Sequence, residues 1–127
     1  MNIINTKNAA QAGGHYSQAI ASGGVLYISG QLPISADGSH NHDKSLEEQA
    51  EIVLANLDAI LQAGGAERES LLKVTVYIAD ISEWGAFNNI YSKFMGEHKP
   101  ARVVVPVPEL HYGYKLEVEA IAKIVHI

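Results

Sequence analysis

The chain has 127 residues, 47% of them hydrophobic and 18% charged, with a formal net charge of -5 and no cysteine. That length suits one domain able to bury roughly two thirds of the surface its unfolded form exposes, and the composition is that of a globular protein rather than a disordered or fibrous one. The missing thiols exclude disulfides, thiolate nucleophiles and Cys-based zinc sites and fit a reducing compartment, while Lys and Arg scattered singly over an acidic chain give no basic stripe for nucleic acid.

The N-terminal stretch MNIINTKNAAQAGGHY lacks the charged start and long apolar run of a signal peptide, and no window reaches the ~18 apolar residues of a membrane span, so the expected location is cytoplasmic with no membrane partner. No repeat, low-complexity tract or linker divides the chain, and a single domain over residues 1–127 is expected.

In chain order, residues 15–21 (HYSQAIA) and 24–30 (GVLYISG) read as strands joined through Ser22-Gly23-Gly24, a hairpin. Residues 31–44 read as loop with a turn at Asp37-Gly38. From Ser45 the period changes: Leu46, Ala50, Val53, Leu57 and Ile60/Leu61 fall on one helical face, Ser45 and Glu48 have capping-box spacing, and Gly64-Gly65 ends the helix. Residues 71–80 alternate and are rich in β-branched side chains, a strand. A second helix follows, with Asp80 and Glu83 at capping-box spacing, Trp84, Phe87, Ile90/Tyr91 and Phe94 on one face, and Gly96 and Pro100 as its stop. Residues 99–124 close the chain as two apolar strands around a turn, a second hairpin.

The order strand, strand, helix, strand, helix, strand, strand predicts an α+β sandwich in which two helices cover one face of a mixed sheet. The strands carry apolar residues at both alternating parities, more than two helices cover, and an exposed apolar sheet face predicts a closed homo-oligomer.

The charges in the closing segment stand out against its apolar background. Arg102 has two readings: a strand-end cation in a surface ion pair, or a planar fork of donors holding a small carboxylate bidentately beside valines. Glu117 and Glu119 share one strand face, with Leu116 and Val118 on the other. They are either solvated edge carboxylates or, in a desolvated cleft, groups that hold water and move protons. Spacing does not choose, and two adjacent candidates imply that at least one is structural.

His40 and His42 have no third partner in a recognisable metal motif, so no metal is expected. His15, His98 and His111 flank the segments of interest, and His126 lies near the terminus. The glycines of SGGVLYISG match neither a P-loop nor a dinucleotide turn, and Ser29 has no nucleophile-elbow context. The six tyrosines read as core or interface packing. Asn88 and Asn89 lie on a helix that gives Asn no propensity advantage, a hint of a bonding role.

Taken together, YSQAI, ISGQLPI, the run ADIS to FNNIYSKFMGEHKPAR, and LEVEAIA resemble the Rid family (reactive intermediate deaminases, also called YjgF-like proteins), in order and at matching spacings over nearly the whole chain. The resemblance implies a ferredoxin-like, chorismate-mutase-type fold assembled as a homotrimer with clefts between subunits. It implies hydrolysis of enamines and imines such as 2-aminoacrylate and 2-iminopropionate to 2-keto acids and ammonia, without a cofactor. Arg102 matches the family's carboxylate-binding arginine and Glu117 the carboxylate that positions water or moves protons. Tyr16, Ser29 and Asn88 match pocket positions, with Tyr16 reaching a neighbour's cleft.

Three departures bear on that reading. His15 stands where the family commonly has Pro, Val103-Val104 where it has Ser-Cys, and LHYG where it has an LPKD turn. If the cysteine position serves through its backbone, Val104 preserves the contact; if through its thiol, activity is in doubt. The turn change brings His111 and Tyr112 to the cleft rim and implies an altered substrate range. The alternative function is a non-catalytic module that binds a small carboxylate and regulates a partner protein, which the two valines favour. A nuclease or translation inhibitor is disfavoured by the acidic balance.

Overall fold

The computed structural model describes residues 1–126. A three-residue strand β1 (Asn2–Ile4), too short to signal itself in the sequence, pairs with β2 (Ala19–Ser22), which turns through Gly23-Gly24 into β3 (Val25–Gln31). The first hairpin therefore stands, but its leading strand starts at Ala19 rather than residue 15. Residues up to Gln18 are held by that buried side chain instead, which accepts from Thr6 N at 2.7 Å and donates to the carbonyls of Thr6 and Ala10.

Helix α1 (Leu46–Ala63) begins at the expected capping box. Ser45 Oγ accepts from Glu48 N and Glu48 Oε1 accepts from Ser45 N. Its apolar stripe is buried from Leu46 to Leu61, and Gly65, at φ 79°, takes the left-handed turn that follows the helix. Strand β4 (Leu71–Ile78) comes next, then helix α2 (Trp84–Met95), which buries Phe87, Tyr91 and Met95. Asp80 caps a single 3₁₀ turn, Ile81–Glu83, ahead of that helix, accepting from Ser82 N. The expected box with Glu83 is replaced by this tighter turn. Strands β5 (Ala101–Pro106) and β6 (Leu116–Lys123) complete the fold.

The chain is α+β with one six-stranded mixed sheet in the order β1-β2-β3-β6-β4-β5. Strand β5 runs parallel to β4, and every other pair is antiparallel. The expected second hairpin is thus overturned, because β4 lies between β5 and β6. Helix α2 is a crossover that returns β5 parallel to β4, and a crossover unit fixes that neighbour before the chain reaches β6. Residues 107–115 then carry the chain past the end of β4, with Val107 N bonded to Ile78 O and Ala79 N to Lys115 O.

One parity of the strands, including Leu26, Ile28, Val74, Val76, Leu116, Val118 and Ala120, packs against the apolar faces of α1 and α2 in one core. Each fully buried Leu, Ile or Phe there contributes about 1.5–3 kcal/mol of burial. The opposite parity, with Tyr27, Thr75, Tyr77, Val103, Val105, Glu117, Glu119 and Ile121, faces away from both helices. Tyr27 and Val103 are 49% and 43% exposed, too much for a finished core face. Among the described residues no helix is long and apolar enough to cross a membrane.

Candidate functional site

The site candidates divide between the two faces of the sheet. The first group surrounds Glu117. The β3–β6 ladder shifts register between Ile28 and Gln31, and Gly30 sits inside that irregularity. A Cβ on Gly30 would come within 2.6 Å of Glu117 Oε2, so the carboxylate lies over the one strand position without a side chain. Ser29, Gly30 and Glu117 line a cleft of about 580 Å³ with Tyr16, residues 10–14, Leu32, Ile34, His111 and Tyr112.

Glu117 is half-buried and makes no side-chain hydrogen bond among the described residues. Burial pushes its carboxyl above the ordinary value, the neighbouring Glu119 adds to the rise, and His111 opposes it. Glu119 is spoken for: Tyr77 Oη donates to its Oε1 at 2.7 Å, and that bond raises the Tyr77 phenol. Of two carboxylates on one face, the cleft keeps one free and the sheet ties down the other.

Ser29 Oγ donates to Ser17 O at 2.6 Å, a bond that ties the strand to the loop carrying Tyr16. Tyr16, 52% exposed, accepts from Gly13 N at 3.2 Å. His111 and Tyr112 reach the cleft as the turn change implied, whereas exposed His15 does not line it. His98 donates to Leu71 O and belongs to the framework.

The second group is at the β5 edge. Arg102 pairs in register with buried Val74, so it points to the helix side of the sheet. Its guanidinium lies 4.7 Å from the Trp84 ring and 4.8 Å from the Tyr91 ring, and Nη1 donates to Asn88 Oδ1 at 3.1 Å. Trp84, Asn88 and Tyr91 stand one turn apart on α2 and form a rack that holds the fork in position. No carboxylate bridges to Arg102 among the described residues. Val104, two residues on, packs its side chain against the core.

Tyr91 was expected only as packing. Its hydroxyl is buried without a hydrogen-bond partner among the described residues, and burial raises its phenol against the pull of Arg102. The Tyr91 hydroxyl and the Arg102 guanidinium thus stand side by side at this edge. The sequence signal was the i, i+4, i+7 spacing of Trp84, Asn88 and Tyr91 relative to one another.

Glu117 and Arg102 are therefore not neighbours in one chain. Strand β4 separates their strands, and they point to opposite faces. No group of three His, Asp or Glu side chains gathers at metal-binding distance among the described residues.

A sequence model of the family described as Endoribonuclease L-PSP matches residues 6–124. The chain is 41% identical over 120 residues to a RutC family protein of Pyrococcus horikoshii, spanning 94% of this chain and 95% of that one. It is 36% identical over 120 residues to Reactive Intermediate Deaminase A, chloroplastic, of Arabidopsis thaliana, spanning 94% of this chain and 64% of the longer relative. Among solved structures, Escherichia coli TdcF with bound serine superposes with a TM-score of 0.91 at 35% identity, covering 97% of this chain and 98% of that one.

Proposed function

This chain belongs to the Rid (YjgF-like) family, the endoribonuclease L-PSP family of the matching sequence model, and from that premise we propose that it is a cofactor-independent deaminase. Its substrates are reactive 2-enamine and 2-imino acids, and its products are 2-keto acids and ammonia. The working unit is a homotrimer of single 1–127 domains, each site assembled from the Glu117 cleft of one subunit and the Arg102 edge of the next.

The observation that carries this reading is the division of the charges. Among the described residues Arg102 is held in position with no acid bridged to it, and half-buried Glu117 has no side-chain hydrogen bond. Two incomplete half-sites on opposite faces are what a heterologous, ring-closing contact would join.

In the joined site Arg102 holds the substrate carboxylate by two parallel N–H···O bonds, steadied by Asn88 and the rings beneath, with the Tyr91 hydroxyl and the Val104 backbone closing that end. A neutral Glu117 protonates the enamine on its β-carbon, giving the electrophilic iminium. Now ionised, Glu117 takes a proton from water as the oxygen adds to the C=N carbon and returns it to the departing nitrogen; as the C–N bond breaks, Glu117 takes the carbinolamine's hydroxyl proton, which releases the ketone and ammonia and leaves Glu117 neutral for the next turnover. A carboxyl raised above its ordinary value suits both halves of that exchange. Ser29 and Tyr16 bound the cleft and orient the water. Such imines hydrolyse unaided, so a modest acceleration is all the site must supply.

The test generates 2-aminoacrylate with a dehydratase and follows imine loss with and without the protein. Acceleration that Arg102→Ala abolishes is expected; no acceleration, or full acceleration by that variant, overturns the reading. The second reading, a carboxylate-binding regulator, draws on Val104, which offers no side-chain chemistry where the family commonly has Cys. Tight keto-acid binding without turnover supports it.

A further inference from the structure

We propose that the turn His111–Gly113 is a specificity wall, and that Tyr112 makes the cleft prefer 2-imino acids with a flat aromatic side chain over those with a methyl group. The location of the site rests on the deaminase reading; the preference itself is measurable without it.

Tyr112 is the one non-glycine residue at positive φ among the described residues, at 61°. L side chains rarely adopt that conformation, so something must hold it. What holds it is a stack of rings. His111 meets Tyr112 in a T at 4.0 Å between centroids and His40 meets it edge-on at 4.7 Å. His40 Nδ1 in turn bonds the hydroxyl of Tyr114 at 2.8 Å, and that hydroxyl also accepts from Asn41 N. Tyr114 is 1% exposed, an anchor in the interior.

A ring cluster anchored by buried Tyr114 thus presents a ring that is itself 57% exposed and lines the cleft. Facing the same space is Tyr16, and Leu32 adds apolar surface. The cavity, about 580 Å³, is in the range that encloses ligands of drug size, roughly 300–1,000 Å³. A three-carbon acid anchored by its carboxylate leaves both phenol rings unused. A phenyl or phenol group on the β-carbon meets them in the edge-to-face or offset geometry that aromatic pairs prefer, and each such contact multiplies affinity about three- to tenfold.

The experiment is calorimetry on the intact protein with phenylpyruvate and pyruvate as stable product probes. Phenylpyruvate is expected to bind about tenfold tighter or more. Tyr112→Phe keeps that ratio, and Tyr112→Asn, which tolerates the left-handed backbone, brings it within about threefold of parity. Thermal unfolding verifies that both variants fold. Initial rates on imines generated by an amino-acid oxidase from phenylalanine and alanine shift in the same sense. Equal or tighter pyruvate binding by the wild type, or a ratio unmoved in folded Tyr112→Asn, overturns the inference while imine turnover leaves the deaminase reading standing. A Tyr112-dependent preference in binding without turnover of either imine does the reverse, and no binding of either keto acid overturns both.

Discussion

The cleft around Glu117 and the edge around Arg102 handle one difficulty, an ion in an apolar sheet, in opposite ways. At the edge two aromatic faces and an amide oxygen fix the plane of the cation, and no carboxylate among the described residues bridges to it. At the cleft the carboxylate is given space and no support, laid over Gly30 where a side chain would collide. The first arrangement suits rigid recognition of an anion, the second a proton that comes and goes. Under the proposed function the difference teaches that binding and chemistry are segregated by sheet face, so that neither region would work alone.

Breaking the edge has the largest expected effect. Arg102→Ala should lower kcat/KM on 2-aminoacrylate by about 10²- to 10³-fold, the usual consequence of losing one partner of a desolvated charge pair. Steady-state kinetics on the purified protein check this, and Arg102→Lys should recover little because an ammonium cannot reproduce the fork. Filling the cleft comes next: Gly30→Ala should displace Glu117 and cost about tenfold in kcat with the Kd for a keto acid little changed, a split that separates the two regions. Asn88→Ala removes one steadying bond to Arg102 and should raise KM about three- to fivefold.

The smallest effect is on stability. A carboxyl raised by burial binds its proton more tightly folded than unfolded. The stability linked to that proton is complete below the unfolded value near 4.5 and is lost as pH rises through the higher folded value. Glu117→Gln should therefore match the wild type in Tm at pH 4 and exceed it by about 2 °C at pH 7. A gap that shrinks with rising pH would mean that Glu117 is stabilised, not strained, in its cleft.

Local physics made some of this legible in the sequence. Helix α1 announced itself because its stripe, its capping box and its terminal glycines agree, and β4 because alternation and β-branching agree. The closing hairpin failed because adjacency along the chain was the only pairing signal available, whereas β5 is placed by its crossover through α2. The same error hid the geometry of the site, since the face that Arg102 occupies follows only from its register with Val74. Glu117 and Glu119 looked equivalent because the phenol that ties down Glu119 lies 42 positions away. Gln18, which shapes the loop behind Tyr16, carries no local pattern at all.

Subunit complementation tests the central claim most directly. Arg102→Ala and Glu117→Gln each disable one half-site, and the two are to be co-refolded in equal amounts and assayed for imine hydrolysis. If Arg102 of one subunit serves Glu117 of the next, random mixing leaves about a quarter of the sites intact and restores about a quarter of wild-type activity. If the mixture is as inactive as its parents, the two charges do not meet across a subunit contact and the account fails.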